Sequence, residues 1–171
     1  NVVAITIGLD QSLYLGGNFG SAGGTAAVRV ARWNGSYGTL STGVAGGNAV
    51  VVAMATKPDG RIVAGGDFLT MGGVTVNSLA EWNGAGWSQA GAGVAGRVSA
   101  LGIRADNSYL LSGSWTSAGG ITTPDSAAIW TGATYLPLGI DLPGQPNINA
   151  ILETSDTTVY LGGFFSGTAQ A

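Results

Sequence analysis

Histidine and cysteine are both absent from the 171 residues, lysine occurs once, at Lys57, and charged side chains make up only 9%. Without cysteine there is no disulfide framework, no thiolate nucleophile and no zinc–thiolate site. Without histidine the commonest general base is missing, and with it any Ser-His-Asp arrangement. An average globular domain carries about 25% charged residues, so Gly, Ser, Thr, Asn and Gln must cover much of this surface. The five arginines are scattered and the net charge is −3. No cluster of cations is available to neutralise phosphates, and nucleic acid is not an expected partner. No apolar run approaches the roughly 18 residues of a bilayer span, so membrane insertion is not expected. The chain opens on Asn1 rather than Met, with no charged segment leading into an apolar one. The expectation is an interior or processed piece of a longer chain.

What the sequence has in abundance is glycine, 31 residues of it, much of it in pairs. "LYLGG" at 13–17 returns as "IVAGG" at 62–66, "LLSGS" at 110–114 and "VYLGG" at 159–163. Gly17, Gly66, Gly113 and Gly163 are thus spaced by 49, 47 and 50 positions. Ala4, Ala53, Ala100 and Ala150 keep the same step, as do Trp33, Trp82 and Trp130 and the second doublets at 23–24, 72–73 and 119–120. A shared period of about 48 residues points to propellers or solenoids. The repeats run 1–47, 48–97 and 98–146, with half a repeat at 147–171.

Each repeat reads as four short strands, and no stretch has helical 3.6-residue periodicity. The first strand is the "VVAITI" type, at 2–7, 51–56, 98–103 and 148–153. A turn holding an aspartate leads to a second strand that ends in Phe19, Phe68, Trp115 or Phe165. A loop around the second doublet leads to the third strand, and Asn-Gly then suits a type I′ hairpin into the fourth. Glycine inside the second strand fits close approach of a neighbouring backbone. The fold predicted is all-β, a β-propeller-like array of four-stranded antiparallel blades. Three and a half blades cannot close a ring, and the second strand of the half repeat, at 159–165, is left with an open edge.

Several motifs carry possible chemistry. "GAGVAG" at 91–96 fits G-x-G-x-x-G, but a strand follows where a dinucleotide site needs a helix, so no cofactor is predicted. Asp10, Asp59, Asp106 and Asp156 each lie six residues after the repeat's alanine. One carboxylate per repeat at the same hairpin marks a turn residue bonding its own backbone. An acid catalyst would be a unique constellation, and no Asp-x-Asp-x-Asp loop supports a metal. Trp33, Trp82 and Trp130 could be sugar platforms, but their spacing predicts equivalent, buried positions between blades. Trp87 and Trp115 are less regular, leaving one of them as the exposed ring. "NGS" at 34–36 is a glycosylation sequon, read here as a hairpin because Asn83-Gly84 occupies the same turn without one. Glu81 and Glu153 are the only glutamates, and Glu81 is matched by Arg32 and Ile129 in the neighbouring repeats. No catalytic, metal or cofactor-binding residue is predicted; ligand-binding residues stay unassigned.

The pattern "KPDGRIVAGGDF…MGGVTVNSLAEWNG" resembles the delta-sixty type repeat, a kelch-like β-propeller family of bacterial surface and phage tail proteins. It is also similar to repeats of some fungal cortical marker proteins. The match is closest in the second repeat, at Asp59-Gly60, Gly65-Gly66, Phe68 and 80–84. The third repeat departs, with Ser112 for a glycine and Trp115 for phenylalanine, which predicts a distorted blade. The resemblance implies an extracellular setting, in a virion or on a bacterial surface, and carries no catalytic residues. Three readings of function follow. The first is a non-catalytic structural and binding module of a phage tail fibre or bacterial adhesin, with other protein subunits as partners. The second is a lectin-like propeller that binds a surface glycan. The third is a glycan-cleaving domain, ranked last because its acid pair is not visible.

Overall fold

The computed structural model of the chain describes residues 1–122, 126–140, 142, 146–155 and 157–164, and among these there is no helix. The first repeat contains β1 (Val2–Ile7), β2 (Leu13–Gly17), β3 (Ser21–Ala22), β4 (Thr25–Ala26), β5 (Val30–Trp33), β6 (Tyr37–Thr39) and β7 (Val44–Ala45). The second contains β8 (Val50–Thr56), β9 (Ile62–Asp67), β10 (Thr70–Met71), β11 (Val74–Thr75), β12 (Leu79–Trp82) and β13 (Trp87–Gln89). The third contains β14 (Val94–Ile103), β15 (Tyr109–Ala118), β16 (Ile121–Thr122), β17 (Ala127–Trp130) and β18 (Tyr135–Pro137). Last come β19 (Asn147–Glu153) and β20 (Val159–Phe164). The sheets run β1-β2-β5-β6, β8-β9-β12-β13 and β14-β15-β17-β18, and all pairings are antiparallel. The predicted four-stranded unit is therefore present three times. Among the described residues β20 pairs with β19 alone; Asp156, Phe165 and the rest of the chain's end lie outside the described residues.

The first hairpin of every repeat closes in the same way. Gln11, Gly60, Asn107 and Thr157 all have positive φ, and each donates its N–H to a carbonyl three residues earlier. This is a three-residue hairpin loop with a left-handed residue before the returning strand. Asp10, Asp59 and Asp106 sit just before that residue, and each accepts the N–H two positions on, at 3.1, 3.1 and 2.9 Å. The aspartates are turn residues, as their period predicts.

The two glycine doublets answer different demands. A Cβ on Gly17, Gly66, Gly113 or Gly163 would lie 2.0–2.2 Å from a first-strand carbonyl oxygen, where each ladder also slips by one residue. Only glycine lets the backbones approach at that bulge. The second doublets have positive φ at both residues, in the two-residue hairpins of β3–β4, β10–β11 and β15–β16. The type I′ geometry lies here, not at Asn-Gly as the sequence suggested. Gly35 and Gly84 have positive φ, but Asn34 and Asn83 do not. Their loops are longer, and Asn83 closes its own by accepting the N–H groups of Ala85 and Gly86. Thr131 does the same in the third repeat, for Ala133 and Thr134. That repeat is not distorted: β14–β15 keeps the bulge of the others, and Ser112 pairs with Ala100 as Gly65 pairs with Ala53.

Two apolar cores lie between sheets rather than within them. The first joins Tyr14, Val30, Leu40 and Val44 of repeat one to Val51, Phe68, Met71, Trp82 and Trp87 of repeat two. The second joins Val63, Leu79, Ala90 and Val94 to Val98, Leu111, Trp115, Trp130 and Tyr135. The second repeat thus buries one face on the repeat before it and the other on the repeat after. Trp82 and Trp130 are buried, at 8% and 6% exposure, but Trp33 is 40% exposed. The expectation of burial fails for Trp33. It holds the same place at the end of a third strand, but no described sheet covers its face. Trp87 and Trp115 are both buried, so neither is the exposed ring anticipated.

Backbone also crosses between repeats. β7 leaves its own sheet and pairs with β10 of the next repeat, and Val94 pairs with Ala118 in the same manner. The first strands meet as well: β1 packs on β8, β8 on β14 and β14 on β19.

Candidate functional site

The polar side chains gather along the edge formed by the aspartate turns. In the first repeat Asp10 Oδ2 accepts hydrogen bonds from Arg32 Nη2 at 2.7 Å, Ser12 Oγ at 3.0 Å and Tyr14 OH at 3.2 Å. Partial burial pushes the Asp10 carboxyl up, but the Ser12 bonds and the Arg32 charge outweigh it and hold it below the usual range. Burial, then the neighbouring Asp10 charge, raises the Tyr14 hydroxyl.

Between the second and third repeats lies a buried ionic cluster. Glu81, on β12, is contacted by Lys57 Nζ at 3.3 Å, Arg61 Nη1 at 3.2 Å and Tyr109 OH at 3.1 Å. Glu81 and Lys57 are both buried, and Lys57 Nζ also lies 5.8 Å from the centre of the Tyr109 ring. Burial, then the negative charge of Glu81, pushes Tyr109 well above the ordinary tyrosine value and raises Tyr135 too. Arg104 clamps Glu153 through two parallel hydrogen bonds, at 2.5 and 2.6 Å, across the next junction. Of the carboxylates along this edge, Glu81 and Glu153 are bonded across a junction, whereas Asp10 and Asp106 are bonded within their own repeats. The sequence pointed to the turn aspartates but not to this cluster. The available signal was a lone glutamate inside the apolar strand "LAEW" in a chain with a single lysine.

A groove of about 490 Å³ opens between the first two aspartate turns, lined by Asp10, Tyr14, Asp59, Arg61, Trp82 and Asn83. A wider one of about 760 Å³ separates the third repeat from β19–β20, with Arg104, Asp106, Ile140, Glu153 and Thr157 on its walls. At the opposite edge a hollow of about 310 Å³ is walled by Asp67, Asn77, Ser78, Gly93 and Gly119. The glycines of 91–96 lead into β14 rather than into a helix. Among the described residues no group of three or more Asp or Glu could hold a metal ion, and no helix is long and apolar enough to cross a membrane. The third-strand tryptophans are not brought together: Trp82 stacks at 5.4 Å on Trp87, and Trp130 at 4.6 Å on Tyr135. Comparison with protein-family models and with curated proteins finds no match for this chain.

Proposed function

We propose that this chain is a non-catalytic structural and binding module, built of propeller-like blades of the delta-sixty type, in a phage tail fibre or bacterial surface adhesin. The observation that carries the reading is the use made of the scarce charges. Glu81, Lys57, Arg104 and Glu153 pair across or at the junctions between repeats, where they tie neighbouring blades together. The succession of first strands packed on one another supports blades fanning from a common line. Immunogold labelling with antibodies against the chain, on intact particles and cells of its source, tests the setting. Label at the particle or cell surface is expected, and label confined to the cytosol overturns it.

A second reading, a lectin-like module, draws on the groove between the first two aspartate turns. Two carboxylates, a guanidinium and an amide line this groove beside Trp82, and they are the polar groups that a sugar's hydroxyls require. A glycan array with the Asp59→Ala variant as control tests it: binding lost in the variant supports the reading, and no binding by either protein removes it.

A further inference from the structure

Three polar donors on the first repeat have no acceptor among the described residues, although their counterparts in the other repeats do. Gly72 N–H donates to Gly43 O at 2.7 Å, and Gly119 N–H to Gly93 O at 2.8 Å, each reaching back to the repeat before. Gly23, at the same place in the first doublet, makes no such bond. The Trp87 indole N–H donates to Leu40 O and the Tyr135 hydroxyl to Ala90 O, again across the junction. Tyr37, which faces Trp33 as Trp87 faces Trp82, has no partner for its hydroxyl. Leu69 N–H donates to Ala45 O, and its counterpart Gly20 N–H is likewise free.

The same three positions border an unfilled strand edge and an apolar hollow. β10 lies between β11 and β7 in a three-stranded sheet, whereas among the described residues its counterpart β3 pairs with β4 alone. Beside β3 is a hollow of about 250 Å³ walled by Val2, Leu15, Phe19, Ala22 and Tyr37. In the next junction the counterparts of that wall, Val51, Ala64, Phe68, Met71 and Trp87, form one core with Val44. Val2 is 50% exposed where Val51 and Val98 are 0%. A missing Val44-like side chain and its two flanking peptides account for the hollow, the open edge and the three free donors together.

We infer that the outer edge of β3 is a docking site for the Gly-Val-Ala-Gly end of a further repeat unit of this same type. That sequence occurs twice in the chain, at 43–46 and 93–96, and in both places it already adds a strand to the next repeat. The docked segment extends β3 by backbone pairing, the mode of strand addition to an exposed sheet edge. Its first glycine carbonyl takes the Gly23 N–H, its valine fills the hollow, and the carbonyl of the leucine three residues ahead takes the Tyr37 hydroxyl. The glycine before the valine is dictated by the donor repeat itself: Gly43 and Gly93 have φ of +82° and +76°, and a Cβ there would meet Val28 or Asn77 of the same repeat. The inference deepens the structural-module reading by naming the partner of one end. It is tested without reference to receptor, glycan or cellular location, so either can fail alone.

The test extends the full chain by the ten residues of segment 40–49, Leu-Ser-Thr-Gly-Val-Ala-Gly-Gly-Asn-Ala, placed ahead of Asn1. Asn1 occupies the position of Val50, since the carbonyls of both face the second glycine of the adjoining doublet. The added segment therefore enters in the native register. Amide hydrogen exchange is read by NMR at Gly20 and Gly23, with Gly72 and Gly119 as internal references. The expected result is a slowing of roughly tenfold at Gly20 and Gly23, the change that one hydrogen bond supplies, abolished when the extension carries Val44→Asp. Exchange unchanged by the extension overturns the inference, and so does equal protection by the aspartate form. Protection of Gly23 that rises with concentration in the unextended chain would assign the face to a second copy, and would overturn it too.

Discussion

Trp33 and Trp82 offer a controlled comparison: the same residue at the same point of the repeat, one with a sheet over its ring and one without. Truncating a buried tryptophan to alanine costs about 3–5 kcal/mol, and Trp82→Ala also removes a tilted ring pair with Trp87, worth roughly 0.5–1.5 kcal/mol. Trp33 keeps 40% of its surface in water against 8% for Trp82, a difference of about a third of the ring's area. On a side chain that buries up to roughly 250 Å², this is about 80 Å², or about 2 kcal/mol at ~25 cal/mol per Å². Trp33→Ala should therefore cost about 2.5–3.5 kcal/mol less than Trp82→Ala once the ring pair is counted. Urea unfolding followed by far-UV circular dichroism reads both, with the m-value checked for constancy. Equal losses in the two variants would refute the assignment of Trp82 burial to the preceding repeat.

Glu81→Ala should lose about 3–5 kcal/mol, because it leaves Lys57 buried beside nothing closer than Asp59 at 3.6 Å; a loss under about 1 kcal/mol, measured by the same urea titration, would mean that water reaches the lysine. Ser112→Ala should stabilise the chain by about 1 kcal/mol or more, since the buried Ser112 Oγ has no hydrogen-bond partner among the described residues; a lower midpoint for the variant contradicts this. Tyr109 is raised by burial and then by Glu81, so its contribution is full below the unfolded tyrosine value near 10 and is lost as pH rises above it. Thermal midpoints between pH 8 and about 11 should fall in the parent and fall less steeply in Tyr109→Phe; parallel curves would dismiss the effect. Burial pushes the Asp10 carboxyl up, but its hydrogen bonds to Ser12 and the Arg32 charge outweigh it and hold it below the ordinary aspartate value of 3.8. Its stabilisation is present above 3.8 and is lost as pH falls through the lower folded value, so Arg32→Ala should flatten the acid limb of the same curve.

Legibility followed the kind of physics involved. The aspartate turns and the first glycine doublet were readable because a turn or a close approach dictates one residue type at one place. The four-stranded antiparallel unit came with the period, since three and a half copies of one pattern leave little freedom for alternatives. Asn-Gly misled because two features suit a type I′ turn, and here Gly-Gly takes that geometry while the Asn83 side chain closes a longer loop. Trp33 misled for another reason. Burial belongs to a residue and its neighbour together, and periodicity speaks only for the residue. The Lys57–Glu81–Tyr109 cluster was hidden because it is not repeated: Arg32 and Ile129 stand where Glu81 does, so the period carries no trace of it. The open edge of β3 needed coordinates, because it consists of hydrogen bonds made elsewhere and not made here.

Because β7 leaves its own sheet to pair with β10, the covalent connection between the first two repeats is itself bonded to the second. Tension along the chain therefore reaches a short clasp before it reaches the ladders behind. At Thr70–Ala45 and Met71–Val44 the clasp is two residue pairs deep, with Gly72–Gly43 beside it. Its valine is anchored in the core shared by both repeats, so opening it uncovers apolar surface on the two of them at once. The linker then acts as a series of latches, each of which must yield before the next sheet bears the load. A chain pulled from its two ends would meet resistance in steps, at each such clasp, rather than unravel from one end.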